Sequence, residues 1–457
     1  MLTSVRSLFR RIPFPNLGKL IPKGSGGKAG RHILMVGFAV FMASSAVFYF
    51  FHRFPIHVYK AKNDSMAPTL YLGDLFGVER FSAWFGTPKR FDVVSYRYPM
   101  DQSKRLMHRV VGLPKEKVRI EKGDIWVRPK GESWRVLHKP EDVQELLWRE
   151  VNPAAGTPAW HVFDEEGVSW KAENNRLEAS THGSARWGAP GTSIMDSYEH
   201  GHSGGRRVEL KTPPGLEENV VGDVRLSGWV RSQADCSEAW IEFHEGKKTY
   251  RFSIPGPAAM DGAAPSIRVG KTRKPGQPYK LPADKEVYFR ATNLDDRLSF
   301  EVDGANIATL DIDAVAPRFS EVHVCFANGG GVWKDLVLER DVHYVSPPDE
   351  TFNVTVPADH YLLLGDNPQH FMDPRFWRVL KLHIKGEDGT ETYKGNLHPT
   401  ENPRTFVEDG ETWIQFRDEH GKKHEFLRKD IKKRSYELSP FVPRAMIEGR
   451  VLWGLNG

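Results

Sequence analysis

The chain has 457 residues, with 64 Lys and Arg against 59 Asp and Glu and a formal charge of +5. That length suits two or three domains, and a total of +5 argues neither for nor against nucleic acid. Two cysteines, Cys236 and Cys325, exclude a disulfide framework or a cysteine-ligated metal cluster; a single bridge and two buried thiols both stay open.

Residues 1 to 32 carry Arg6, Arg10, Arg11, Lys19, Lys23, Lys28 and Arg31, and no acidic residue occurs before Asp64. With Pro13, Pro15, Pro22 and the Gly24-Ser25-Gly26-Gly27 run, this segment reads as a flexible basic tail beside anionic lipid, not as a nucleic-acid arm. Residues 33 to 51, ILMVGFAVFMASSAVFYFF, contain no charge. At helical rise the run spans roughly 28 Å, about the hydrocarbon thickness of a bilayer. A secretory leader has a shorter apolar core, and aromatic residues crowd the far end, where an interfacial belt sits. The expectation is a single-pass helix in the cytoplasmic membrane, N-terminus inside, with everything from about residue 55 on the outer face.

Beyond the anchor comes Asn63-Asp64-Ser65-Met66-Ala67-Pro68-Thr69-Leu70, in which Pro68 stiffens the backbone after Ser65. Short strands rich in Val, Ile, Phe and Tyr follow: DLFGVERF, FDVVSYRYP, KRLMHRVVGLP and KVRIEKGDIWVRP, punctuated by Gly73-Asp74, Gly112-Leu113-Pro114 and Gly123-Asp124. Near residue 130 the pattern changes. PEDVQELLWREV (140 to 151) has acids in a first turn and helical apolar spacing. Then DVRLSGWVRS, EAWIEFHEGKKTYRFSI, EVYFRATNLDDRLSFEVDGANIATLDI and EVHVCFANGGGVWKDLVLERDVHY alternate apolar and polar residues between turns. That is the signature of an antiparallel β-sandwich, and the stretch around Arg297 is similar to concanavalin-type or laminin-G-type jelly rolls.

After Val345 the earlier style returns with VTVPADHYLLLGDNPQHFMDPRFW. A Lys-rich stretch with the strand pair TWIQFRD and KHEFLRKDI interrupts it, and FVPRAMIEGRVLW closes the chain. The expected organisation is mainly β. One discontinuous domain is built from residues 55 to 129, 345 to 377 and 439 to 457. A sandwich (130 to 344) and a second insertion (378 to 438) are set into it. Excising about 135 to 340 is expected to leave a foldable remainder.

Taken in order, SMAPTLYLGD, FDVVSYRYP, HRVVGLPKEKV, LLLGDN followed by Asp373 and Arg375, and FVPRAMIEGRV resemble the type I signal peptidases, over less than a third of the chain. The resemblance implies a β-rich serine endopeptidase that removes signal peptides from exported preproteins at the membrane, with no cofactor and no metal. It implies Ser65 as nucleophile, with Met66 and Pro68 against the substrate. The Ser65 N–H is the first oxyanion donor, and Asn63, where the family often has a hydroxyl, is either the second donor or the cap of a turn. The bacterial family has a lysine base before Arg-x-Val-Gly-Leu-Pro. Here His108 stands there, as in the branch that pairs serine with histidine, and Phe371 replaces the hydroxyl that accompanies the lysine.

Imidazole, with an unperturbed pKa of about 6.5, takes a serine proton without the deep burial a lysine needs. A histidine base works best when a carboxylate orients it. Asp373 is favoured for that role. Asp366 and Arg375 are the other candidates at the site; the resemblance implies that Arg375 pairs with Asp373, which could then do no more than hold it. Lys104, four residues before His108 and roughly 13 Å away along a strand, is the alternative base. A catalytically inactive relative that binds an envelope ligand through its sandwich is the rival from another class.

Overall fold

The computed structural model describes residues 35–45, 56–82, 86–99, 101–151, 159–163, 170–173, 176–196, 218–347, 351–370, 373–386, 389–395, 404–418 and 422–454. Two compact units divide the chain, Met1–Pro55 and Ile56–Gly457. In the first, residues 35–45 are helical and exposed. The basic tail and the rest of the 33 to 51 run lie outside the described residues, and no described helix is long and apolar enough to cross a membrane.

The second unit is mainly β. A seven-stranded sheet runs in the order His57–Lys60, Leu75–Glu79, Ile447–Gly454, Val93–Tyr98, Asp101–Gly112, His360–Leu364, Phe441–Pro443. Its strands come from three separated stretches of sequence. Period-two patterning explains the packing: Val94, Tyr96 and Tyr98 turn to one buried face, joined from the neighbouring strand by Leu106, His108 and Val110. In the register, Val94 lies opposite His108 and Tyr96 opposite Leu106. A four-stranded sheet, Asn353–Thr355, Lys117–Glu121, Asp124–Arg128, Arg135–Val136, lies beside it in sequence.

Between these pieces, PEDVQELLWREV forms the helix Glu141–Leu147, with Glu141 and Asp142 in its first turn, and passes directly into the short strand Arg149–Glu150. Eight-stranded and seven-stranded antiparallel sheets follow. Their alternating residues, among them Leu226, Phe243, Phe252, Phe289, Phe300 and Trp333, share one core. Cys236 and Cys325 are buried free thiols, not a bridge.

The later interruption holds two three-stranded sheets. The expected pair TWIQFRD and KHEFLRKDI appears as Glu411–Arg417 against Lys423–Leu427, in antiparallel register.

Candidate functional site

Ser65 lies in the turn between the first two strands. Its backbone is held by Ala67 N–H on Asp64 O (3.1 Å), Leu70 N–H on Met66 O (2.9 Å) and Leu72 N–H on Asp64 Oδ1 (2.7 Å). Met66 is 1% exposed and packs into a core with Ala61, Leu70, Phe76 and Val78, which anchors the turn from below. Pro68 is half-buried, and the Ala67–Pro68 peptide is cis.

The turn docks on Gly365-Asp366-Asn367. Asn367 N–H donates to Ser65 O (3.0 Å), and Asn367 Nδ2 donates to Asp64 O (3.0 Å). A Cβ at Gly365 would come within 2.5 Å of Ser65 O and 3.4 Å of Asp373 Oδ2, so only glycine allows this approach.

The hydroxyl of Ser65, itself 3% exposed, donates to Asn63 Oδ1 (2.8 Å), and the Ser65 N–H donates to the same oxygen (3.2 Å). A backbone N–H needs an acceptor, which fixes the Asn63 amide with oxygen toward Ser65. Asn63 thus closes an Asx turn over the serine, and its oxygen occupies both the Ser65 hydroxyl and the Ser65 N–H that an oxyanion would use.

His108 is fully buried. Its Nδ1 lies 2.7 Å from the Tyr96 hydroxyl, and its Nε2 is buried with no hydrogen-bond partner among the described residues. Burial pushes the imidazole down to about 4, against an opposing pull from Asp373; His370 lowers it further and Asp366 raises it. Burial, then Asp373 and Tyr98, push the Tyr96 phenol well above its ordinary value.

Tyr96 is a site residue that sequence reasoning missed. The available signal was its strand phase: on VVSYRY it shares a face with Val94, the partner of His108, at the diagonal distance an aromatic side chain spans.

Asp373 does not hydrogen-bond to His108. Its Oδ2 accepts from Gly365 N–H (2.7 Å), and its Oδ1 accepts from Arg375 N–H (2.9 Å) and Nε (3.0 Å). It caps the short helical turn Pro374–Phe376, where Pro374 at the first position suits the fixed φ. Arg375, fully buried, also donates to Val345 O and Pro368 O (2.7 Å each). Phe371 lies outside the described residues.

Asp366 is bound by Arg109 through two bonds (Nε 2.8 Å, Nη2 2.6 Å) and by Thr69 Oγ1 (2.5 Å). It ties the strand after His108, the serine turn and the Gly-Asp-Asn segment together. Lys104 has a half-exposed side chain ion-paired with Asp101 at 3.7 Å.

Ser65, Asp366 and Asp373 therefore meet at one glycine, with the uncharged imidazole of His108 in the field of both carboxylates. A buried hydroxyl, a buried imidazole and fixed charges are group types that suit acyl transfer.

Residues 31–157 match the family model "Signal peptidase, peptidase S26". Signal peptidase I of Pseudomonas fluorescens is 36% identical over 78 residues, 14% of this chain and 28% of that protein. Signal peptidase I V of Bacillus subtilis is 38% identical over 72 residues, 16% of this chain and 42% of that protein. The chain thus spans under half the length of these relatives. Similar solved structures include carbohydrate binding module CBM66 from Bacillus subtilis, at 9% identity and TM-score 0.26 over 40% of this chain and 97% of that one. Another is Bacillus licheniformis beta-glucanase, at 9% identity and TM-score 0.28 over 43% and 98%.

Proposed function

Through residues 31–157 the chain belongs to the signal peptidase family, peptidase S26, and on that premise we propose that it is a membrane-anchored serine endopeptidase that removes signal peptides from exported preproteins. Ser65 is the nucleophile and His108 the general base. The observation that carries this reading is His108 itself, a fully buried imidazole with Nδ1 on Tyr96 and Nε2 without a hydrogen-bond partner among the described residues.

In the base-competent tautomer, Nδ1–H donates to the Tyr96 oxygen and leaves the Nε2 lone pair for the serine proton. Turnover requires Ser65 Oγ to exchange Asn63 Oδ1 for Nε2, since catalytic hydrogen bonds commonly tighten only with substrate. As Oγ attacks the scissile carbonyl, its proton passes to Nε2, and the tetrahedral oxyanion draws on the Ser65 N–H that Asn63 releases. Collapse expels the new amino terminus, which takes the proton from the imidazolium, and an acyl-enzyme remains. Water, deprotonated by the same nitrogen, hydrolyses that ester. Asp373 and Asp366 stabilise the transient imidazolium by their field, while their direct bonds hold Arg375 and Arg109.

Residues 33 to 51 anchor the chain with the N-terminus in the cytoplasm and the body on the outer face, where preproteins emerge. Lys104, exposed and paired with Asp101, lacks the desolvation a lysine base requires. The test is cleavage of a preprotein with a small residue before the scissile bond. The wild-type chain cleaves it and Ser65→Ala does not. Equal cleavage by both, or none by the wild type, would exclude serine catalysis at this site.

A further inference from the structure

At the junction of the four-stranded sheet and the sandwich stand three carboxylates that the mechanism does not use. Asp124 opens the strand Asp124–Arg128, Asp223 directly precedes Val224–Ser232, and Asp295 lies in the turn after Val287–Leu294. One oxygen from each lies within 4.8 Å of the others. Neither the Asp124 nor the Asp223 carboxylate has a hydrogen bond or ion pair among the described residues. Burial pushes both toward protonation, and Asp124 adds to the effect at Asp223. Lys139, whose charge opposes that push at Asp124, is engaged by Asp341 (2.7 Å) and Asp295 (3.4 Å).

A second observation comes from Asn293, which is 1% exposed. Its Nδ2 donates to Gly222 O (2.9 Å), fixing the orientation of the amide. Its Oδ1 is left buried with no hydrogen-bond partner among the described residues. Asn293 lines, together with Asp124 and Asp223, a cavity of ≈ 10 Å³, room for about one water-sized sphere.

We propose that Asp124, Asp223, Asp295 and Asn293 Oδ1 hold one hard divalent cation, calcium by size, that clamps the sandwich to the catalytic sheets. The donors are all oxygen, as calcium prefers, and a shell at its roughly 2.3–2.6 Å bond lengths spans oxygen separations up to about 5 Å. The cation supplies the positive charge that two unpaired carboxylates lack, and it joins residues from both sides of the junction.

The test uses the full-length chain in detergent after chelation. Calorimetric titration with calcium chloride should show one site per chain, lost in both Asp124→Asn and Asp223→Asn. Calorimetric unfolding in chelator reports whether each variant is folded. Removing one of two repelling charges should leave the variant midpoint equal to or above the wild type. Calcium should then raise the wild-type midpoint by several degrees, saturably, and leave the variants unmoved. A wild-type chain that binds no calcium at millimolar concentration would show that the pair holds a proton instead. Either that result or undiminished binding by folded variants overturns the proposal.

Discussion

The Tyr96 hydroxyl lies 2.7 Å from His108 Nδ1, inside the sheet, where a carboxylate was expected. A phenol this deep, pushed toward its neutral form by burial and by Asp373, orients the ring but gives it no charge. Orientation and charge stabilisation are thus divided between Tyr96, which touches the ring, and Asp373, which acts at a distance. On the proposed mechanism Tyr96→Phe leaves Nδ1 unpartnered, at a cost of about 1–3 kcal/mol, or roughly 5–150-fold in kcat. The acid limb of the pH profile should move with it. A kcat loss with no displacement of that limb would assign Tyr96 to packing alone.

Protonation of His108 removes the base, so activity falls below its pKa. Burial holds that pKa near 4, and the acid limb of kcat/KM should therefore lie near 4, not at the 6 to 7 of a solvated imidazole. The same shift bears on stability. Between about 4 and 6.5 the unfolded chain binds a proton that the folded chain refuses, so stability falls as pH drops through that window. His108→Gln should flatten this part of the stability curve, measured by chemical unfolding at a series of pH values. An unchanged slope would show that the ring is not held neutral.

The Arg109–Asp366 pair is buried on both sides, at 3% and 0% side-chain exposure. Arg109→Met leaves Asp366 without its cation and should destabilise the fold by about 3–5 kcal/mol. A loss under about 1 kcal/mol, read from denaturant midpoints, would mean that Thr69 alone satisfies the carboxylate.

Arg149, from the inserted stretch, reaches into the serine site. Its Nη2 donates to Ala67 O (2.7 Å) and to Asp366 O (3.0 Å), and the residue is 4% exposed. Gln369 Nε2 donates to Asp196 O (3.0 Å), a second tie from the Gly-Asp-Asn segment to the insertion. Excising 135 to 340 removes both supports, so the proposed separable sandwich should prove separable in folding more than in activity. Arg149→Met should lower kcat/KM several-fold in an otherwise folded chain. Wild-type turnover by the excised chain would contradict this coupling.

The sequence made the β class legible, because alternation on strands such as Val93–Tyr98 is a local property. It also made legible the motif residues that meet at Gly365, because their chemistry is carried by short runs. Tyr96 was hidden because its partnership with His108 depends on the register between two strands, which no single run encodes. Arg149 was hidden for a related reason: its acceptors lie 82 and 217 residues away. Asp373, favoured as the acid that orients His108, is bonded to Arg375 instead, and of the two roles open to Asn63 the structure has the turn cap, its amide oxygen accepting from Ser65.

The central claim, that Ser65 is activated by His108, is tested most directly by one preprotein cleavage assay on purified Ser65→Ala, His108→Ala and Lys104→Ala chains. Nucleophile and base act as one unit, so Ser65→Ala and His108→Ala should lose turnover to a comparable extent. Lys104→Ala, which removes an exposed side chain paired with Asp101, should stay near wild type. An active His108→Ala beside an inactive Lys104→Ala would contradict the account and move the base to lysine.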